Sequence, residues 1–226
     1  MLPAMFPAVL PSLLPSADQL LAFYQSSRGS ARLTAMQNRA ALLLGEQKVA
    51  CALGLGFPFP LMPLLEQRAE VALSACSAPI GPLAWTDRAG YNRAFLSEPR
   101  HLPIADASVD LALVLHQLEY APYRQEVLRE LWRVLVPKGR LLTVLPNRFS
   151  PQAVSGERFT PWGTRLLINA SLFEVSALSG LYAKRWVQPV SPCWMLLAVK
   201  RSSPPGVRNS ASWSLCHAFR TSPQAQ

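Results

Sequence analysis

From Leu102 to Asn147 the chain reads LPIADASVDLALVLHQLEYAPYRQEVLRELWRVLVPKGRLLTVLPN, and this tract most narrows what the protein can fold into. Asp106-Ala107-Ser108 makes a polar turn, and Leu111 to Leu115 is an unbroken apolar run too short for a typical helix. Such a run suits a parallel strand covered on both faces. From Tyr123 the period becomes helical, with Val127, Leu128, Leu131, Val134 and Leu135 on one stripe. Glu126–Arg129 and Glu130–Arg133, off the stripe, are spaced to pair across one turn. Pro137-Lys138-Gly139 then stops the helix, and Arg140 to Leu145 begins another buried strand. The tract is therefore a βαβ unit of an open α/β sheet.

The rest of the chain is consistent with such a sheet. Asp18 to about Leu44 has helical period, a cap at Ser16 or Asp18, and an interruption at Gly29. Val49 to Leu53 reads as the first strand, about Leu61 to Arg68 as a helical stretch, and Val71 to Ala75 as the second strand. Ile80 to Leu96 is loop-like, with Leu83 to Thr86 as a candidate short strand. Pro161 to Ala170 reads as a short helix, and Phe173–Leu178 with Met195–Val199 as an antiparallel edge pair. The expected division is a Pro-rich leader over 1–17, one α/β domain over 18–201, and a Ser/Pro-rich disordered tail over 202–226.

Charge and cysteines exclude several functions. The formal charge is +9, yet no Lys/Arg run exceeds two residues, as at Lys184-Arg185 and Lys200-Arg201. Scattered basic residues of this kind do not build a specific nucleic-acid groove. Cys51, Cys76, Cys193 and Cys216 lie far apart without histidine pairs, so neither a zinc site nor a disulfide framework follows. Cys51 reads as a small buried hydrophobe. Prolines at 3, 7, 11 and 15 prevent a continuous helix in the apolar leader, which is also too short to span a bilayer. A cytoplasmic protein without a membrane span is expected.

The order LP-x-x-D-x-S-x-D, apolar strand, L-E-Y, then L-R-E-x-x-R-V-L-x-P-x-G-R-L resembles the middle of class I S-adenosylmethionine-dependent methyltransferases of type 11. The resemblance extends more weakly from about Leu20 to about Arg201. It implies a Rossmann-like α/β fold: a mostly parallel central sheet, helices on both faces and an antiparallel edge. It also implies S-adenosyl-L-methionine as cofactor and a small-molecule acceptor.

Residue by residue, Gly54 and Gly56 match the first two glycines of the family's G-x-G-x-G cofactor loop, and Pro58 stands at the third. Proline lacks an N–H and fixes φ, so that glycine's freedom is lost. A side chain at Gly56 is expected to occupy ligand space. The family's acid after the second strand, which accepts from both ribose hydroxyls, has no counterpart in Cys76-Ser77-Ala78; Asp87 reaches the site only if its loop folds back. Glu98 matches the acid that bonds the adenine amino group. Leu115 and His116 end the fourth strand, where backbone carbonyls accept from the cofactor's ammonium. His116 is either a base near neutral pH or a turn-satisfying histidine. Glu119 is expected to fix the loop.

The acceptor pocket is expected between the early helix and the loops after the fourth and fifth strands, with Tyr24, Arg28, Tyr120 and Arg148 as binding residues. If Arg28 and Arg148 converge beside Gly54, an anionic, partly apolar small-molecule acceptor follows, set among the pocket's aromatic rings. The two departures in the cofactor loop leave open an alternative: a methyltransferase-like module that binds without catalysing.

Overall fold

A computed structural model describes residues 15–147, 172–179 and 193–201. Seven strands form one sheet in the order β3-β2-β1-β4-β5-β7-β6. They are β1 (Val49–Gly56), β2 (Ala69–Ser77), β3 (Ala94–Ser97), β4 (Val109–Leu115), β5 (Leu135–Pro146), β6 (Phe173–Ser179) and β7 (Cys193–Lys200). β1 to β5 are mutually parallel, while β7 runs antiparallel to both β5 and β6. The expected mixed sheet with an antiparallel edge is present.

Two apolar layers sandwich the sheet, and side-chain alternation along each strand assigns residues to one or the other. On one face Cys51, Leu53, Leu55, Leu73, Ala112 and Val114 pack under helix α4 (Arg124–Val134), through Val127, Leu128, Leu131 and Val134. On the other, Ala52, Ala72, Leu111, Leu113 and Leu142 pack against α2 (Ser27–Leu44) and α3 (Met62–Glu66). Helix α1 (Ala17–Gln25) begins with a reciprocal cap in which Ser16 and Gln19 satisfy each other's backbone N–H. Among the described residues, no helix is long and apolar enough to cross a membrane.

Several expectations need correction. The early helix breaks at Ser26, which closes α1 and caps α2, rather than at Gly29. Gly29 is buried where a Cβ would overlap the Phe23 carbonyl, so its role is the tight α1–α2 approach. The third strand is Ala94–Ser97, and Thr86 makes only an isolated bridge to Asn92. Pro137-Lys138-Gly139 does not terminate α4: the chain is already extended at Leu135, and these residues bulge out of β5 between its pairings with Val109 and Leu111. Glu126 pairs with Arg100, whereas Glu130–Arg133 pair as spaced. Cys51 is disulfide-bonded, and the buried Cys76 is a free thiol. Outside the described residues lie the helix at Pro161–Ala170, the tail over 202–226 and the leader to residue 14.

The charged residues of the diagnostic tract hold this architecture together. Arg133 donates to both Glu130 oxygens, to Asp106, and to the carbonyls of Ile104 and Leu102. Glu130 in turn accepts from the Leu102 N–H at 2.6 Å. At the far end of β4, Asp110 accepts the N–H groups of Ala50 and Cys51 at 3.1 and 2.8 Å, tying β4 to β1. These residues fix strands.

Candidate active site

The carboxyl ends of β1, β2 and β4 meet where the strand order reverses, the place where open α/β sheets bind ligands. The chain folds tightly there. Gly56 has φ +90°, a backbone conformation that suits glycine, and a Cβ on it would lie 2.5 Å from the Leu115 carbonyl oxygen. Phe57 then donates its N–H to that carbonyl at 2.8 Å. The Leu115 carbonyl, expected to accept from a cofactor, is thus already engaged within the protein. A Cβ on Gly54 would lie 2.4 Å from the Pro58 Cβ, so the proline ring covers the first glycine.

Phe57 points inward and is fully buried among Ala17, Leu20 and Ile80. Its ring stacks on Tyr24, with centroids 6.3 Å apart and planes 7° from parallel. Aromatic side chains therefore narrow the loop's side of the site.

Two clefts open along this edge. The larger, about 240 Å³, is lined by Ser77 from the end of β2, Glu98 after β3, and His116, Gln117 and Tyr120 after β4. Glu98 is half-exposed and bonds Arg100 at 2.9 Å; Arg100 also lies over the Tyr123 ring and reaches Glu126. Gln117 has a buried side-chain oxygen without a hydrogen-bond partner, an acceptor suited to a ligand's donor. The smaller cleft, about 50 Å³, lies between Phe23, Tyr24, Arg32, Met36, Glu119 and the ends of β4 and β5.

His116 borders both clefts. It is buried and holds φ +54°, uncommon for a residue other than glycine. Its Nδ1 is 2.9 Å from Glu119 Oε1, and its Nε2 is 2.8 Å from the Tyr24 hydroxyl. Burial pushes the Tyr24 phenol far above its usual pKa, with the Cys193 thiol and Glu119 carboxylate adding to the effect and Arg32 opposing it. The phenol is therefore a neutral donor. Glu119 Oε2 is also buried without a partner.

Of the residues named from sequence, Gly54 and Gly56 sit at the site through backbone packing, Glu98 and Tyr120 line the larger cleft, and Tyr24 and His116 meet directly. Arg28 is solvent-exposed and borders neither cleft; Arg32, one turn on, takes its place because it lies on the face of α2 turned to the sheet. Arg148 lies outside the described residues. Convergence of Arg28 on the cleft does not occur, and the anionic-acceptor idea loses that support. Asp87 stays in its own loop: desolvation raises its pKa, but the Arg93 guanidinium at 2.6 Å and backbone N–H groups outweigh it and hold the carboxyl below the usual range. It lines neither cleft. Sequence reasoning missed Phe57, Ser77 and Gln117. A bulky Phe57 between Gly56 and Pro58 was the one local sign that this loop is packed differently.

Residues 54–143 match the profile of a methyltransferase domain family, type 11. No curated protein sequence matches the chain. Among solved structures, a S-adenosylmethionine-dependent methyltransferase from Aquifex aeolicus aligns with TM-score 0.55 at 15% identity, covering 75% of this chain and 97% of its own. The PH0226 protein of Pyrococcus horikoshii aligns with TM-score 0.58 at 12% identity, over 85% and 97%. The cyclase SpnF aligns with TM-score 0.56 at 13% identity, over 84% and 98%. Likeness at these identities concerns fold, and a cyclase among the neighbours shows that the fold does not dictate methyl transfer. Residues 54–143 are thus similar to the type 11 methyltransferase domain, and they lie on a sheet of this order with its glycine turn at the switch point.

Proposed function

We propose that the protein is a S-adenosylmethionine-dependent methyltransferase acting on a small-molecule acceptor, with residues 18–201 as the working unit. The observation that carries this reading is the larger cleft. It runs across the ends of β2, β3 and β4, where a nucleoside would lie, and is lined by Ser77, Glu98 and Gln117, whose buried oxygen lacks a hydrogen-bond partner. In this reading Glu98 would accept from an adenine amino group, and Ser77, at the end of β2, would stand in for the family's ribose acid. A single hydroxyl is a weaker match for two ribose hydroxyls than a carboxylate.

The cofactor brings a methyl group on an already activated sulfonium leaving group. The chain's residues are then left to orient the acceptor, exclude water and receive a proton. Phe57, Tyr24 and Leu20 supply the water exclusion by closing the site from the α1 side.

A second reading, a binding module without catalysis, is favoured by the filled loop side, where Pro58 covers Gly54 and Phe57 is buried. Calorimetric titration separates the two. The enzyme reading expects S-adenosylhomocysteine to bind well below millimolar concentration and adenosine more weakly. If the folded protein takes up neither ligand at millimolar concentration, the cofactor assignment fails; adenosine without S-adenosylhomocysteine would support the module.

A further inference from the structure

We propose that the acceptor is a phenol or similarly acidic hydroxyl compound, that it docks where the Tyr24 hydroxyl now sits, and that His116 Nε2 takes its proton; this rests on the methyltransferase reading. The direction of the hydrogen bonds is the first argument. A carboxylate such as Glu119 accepts, so the tautomer that fits this contact has its N–H on Nδ1 of His116 and a lone pair on Nε2. That lone pair now accepts from a phenol, the Tyr24 hydroxyl, at 2.8 Å. Tyr24 stays protonated because burial disfavours its anion.

Position is the second argument. His116 alone of the three borders both the nucleoside-sized cleft and the apolar one, so this residue stands between the space for a methyl donor and the space for an acceptor. The apolar cleft, walled by Met36, Leu115, Val144 and Leu145, has about 50 Å³ free. That is room for one or two waters, so an aromatic acceptor must displace the Tyr24 ring. Tyr24 thereby acts as an internal stand-in for the acceptor: same functional group, same partner, same walls.

Strain is the third. A non-glycine residue in the left-handed region is uncommon, and at His116 the two side-chain hydrogen bonds hold it there. The buried Glu119 Oε2, unpartnered, leaves a full negative charge beside the ring to balance the imidazolium.

In the reaction the acceptor O–H bond breaks and its proton passes to Nε2. The oxygen lone pair forms the new O–CH3 bond. The methyl–sulfur bond breaks with its electron pair remaining on sulfur, giving a thioether, a methyl ether and an imidazolium that releases its proton to solvent.

The test needs no cofactor, so its outcome is independent of the titration above. The probe is 4-nitrophenol, whose anion is yellow, added to the full chain below the probe's own pKa. Removing the competing hydroxyl with Tyr24→Phe should tighten binding about fivefold, the worth of one hydrogen bond, and turn the bound probe yellow. Adding His116→Asn, asparagine being better suited to the left-handed region than most residues with a side chain, should abolish the colour; so should Glu119→Gln, which leaves the ring without its carboxylate. If Tyr24→Phe binds the probe no more tightly than the parent, or if the colour survives both second substitutions, the proposal is overturned.

Discussion

Gly56→Val is expected to lower the unfolding free energy by about 3 kcal/mol or more, roughly 10 °C in Tm for a domain of this size. Two costs combine. A β-branched residue at φ +90° is strained, and its Cβ would meet the Leu115 carbonyl oxygen at 2.5 Å and the Gln117 Cβ at 2.8 Å. The carbonyl cannot retreat, because it pairs β4 with β1 and accepts the Phe57 N–H. From sequence alone the same substitution looked like a clean block on ligand binding. The structure makes it a fold mutation, since the space beside Gly56 belongs to the protein's own backbone. Thermal unfolding decides: a Tm within a degree or two of the parent would mean that β1 and β4 separate easily and that the site is more open than described. Cofactor contacts are better probed by Glu98→Ala, whose side chain is half-exposed and bonded only at the cleft rim to Arg100.

Arg133→Ala should cost about 3 kcal/mol. The guanidinium bridges the turn before β4 to the last turn of α4, and hydrogen bonds to Glu130 and Asp106 hold it protonated more firmly than usual. Truncation leaves the partly buried Glu130 with its Leu102 contact but no cation, and strands the carbonyls of Leu102 and Ile104. Arg133→Lys should recover only part of the loss, because an ammonium cannot make the forked contact. Arg129→Ala, exposed on the same helix, should stay within about 0.5 kcal/mol of the parent. Urea unfolding of the three variants checks the order; equal midpoints for Arg133→Ala and Arg129→Ala would refute the clamp.

The two arginines also show what was readable in the sequence. β4, α4 and β5 announce themselves because parallel, doubly covered strands and an amphipathic helix have strong local periods. Leu111–Leu115 and the α4 stripe are where the pattern puts them. Pro137-Lys138-Gly139 misleads because a strand that bulges carries the same residues as a helix stop, and only pairing with Val109 and Leu111 tells them apart. β3 is missed because four residues at a sheet edge are held by their neighbour β2 rather than by their own pattern. For the site, positions were legible and partnerships were not. His116 and Tyr24 were both candidates, as ligand and acceptor residues, yet nothing local joins residues so distant in the chain. Their hydrogen bond depends on α1 packing against Phe57, a buried aromatic in what the family pattern treats as a ligand loop.

The strand order also bears on how the molecule comes together and comes apart. β1 pairs with β2 through residues such as Cys51 and Val71, and β4 with β5 through Leu113 and Leu142, partners close along the chain. The seam between β1 and β4 joins Ala52 to Leu111, far more distant. Closing a longer loop costs more entropy and slows the contact that needs it. The β1–β4 and β5–β7 seams are thus both late joins; the first divides the sheet into two halves, and the candidate site lies at its carboxyl end. A ligand spanning from Gly56 to Gln117 would touch both halves at once, so binding would resist their separation as well as fill the cleft. Amide hydrogens of β1 that face β4 should then gain more protection on ligand addition than those of β5 that face β7.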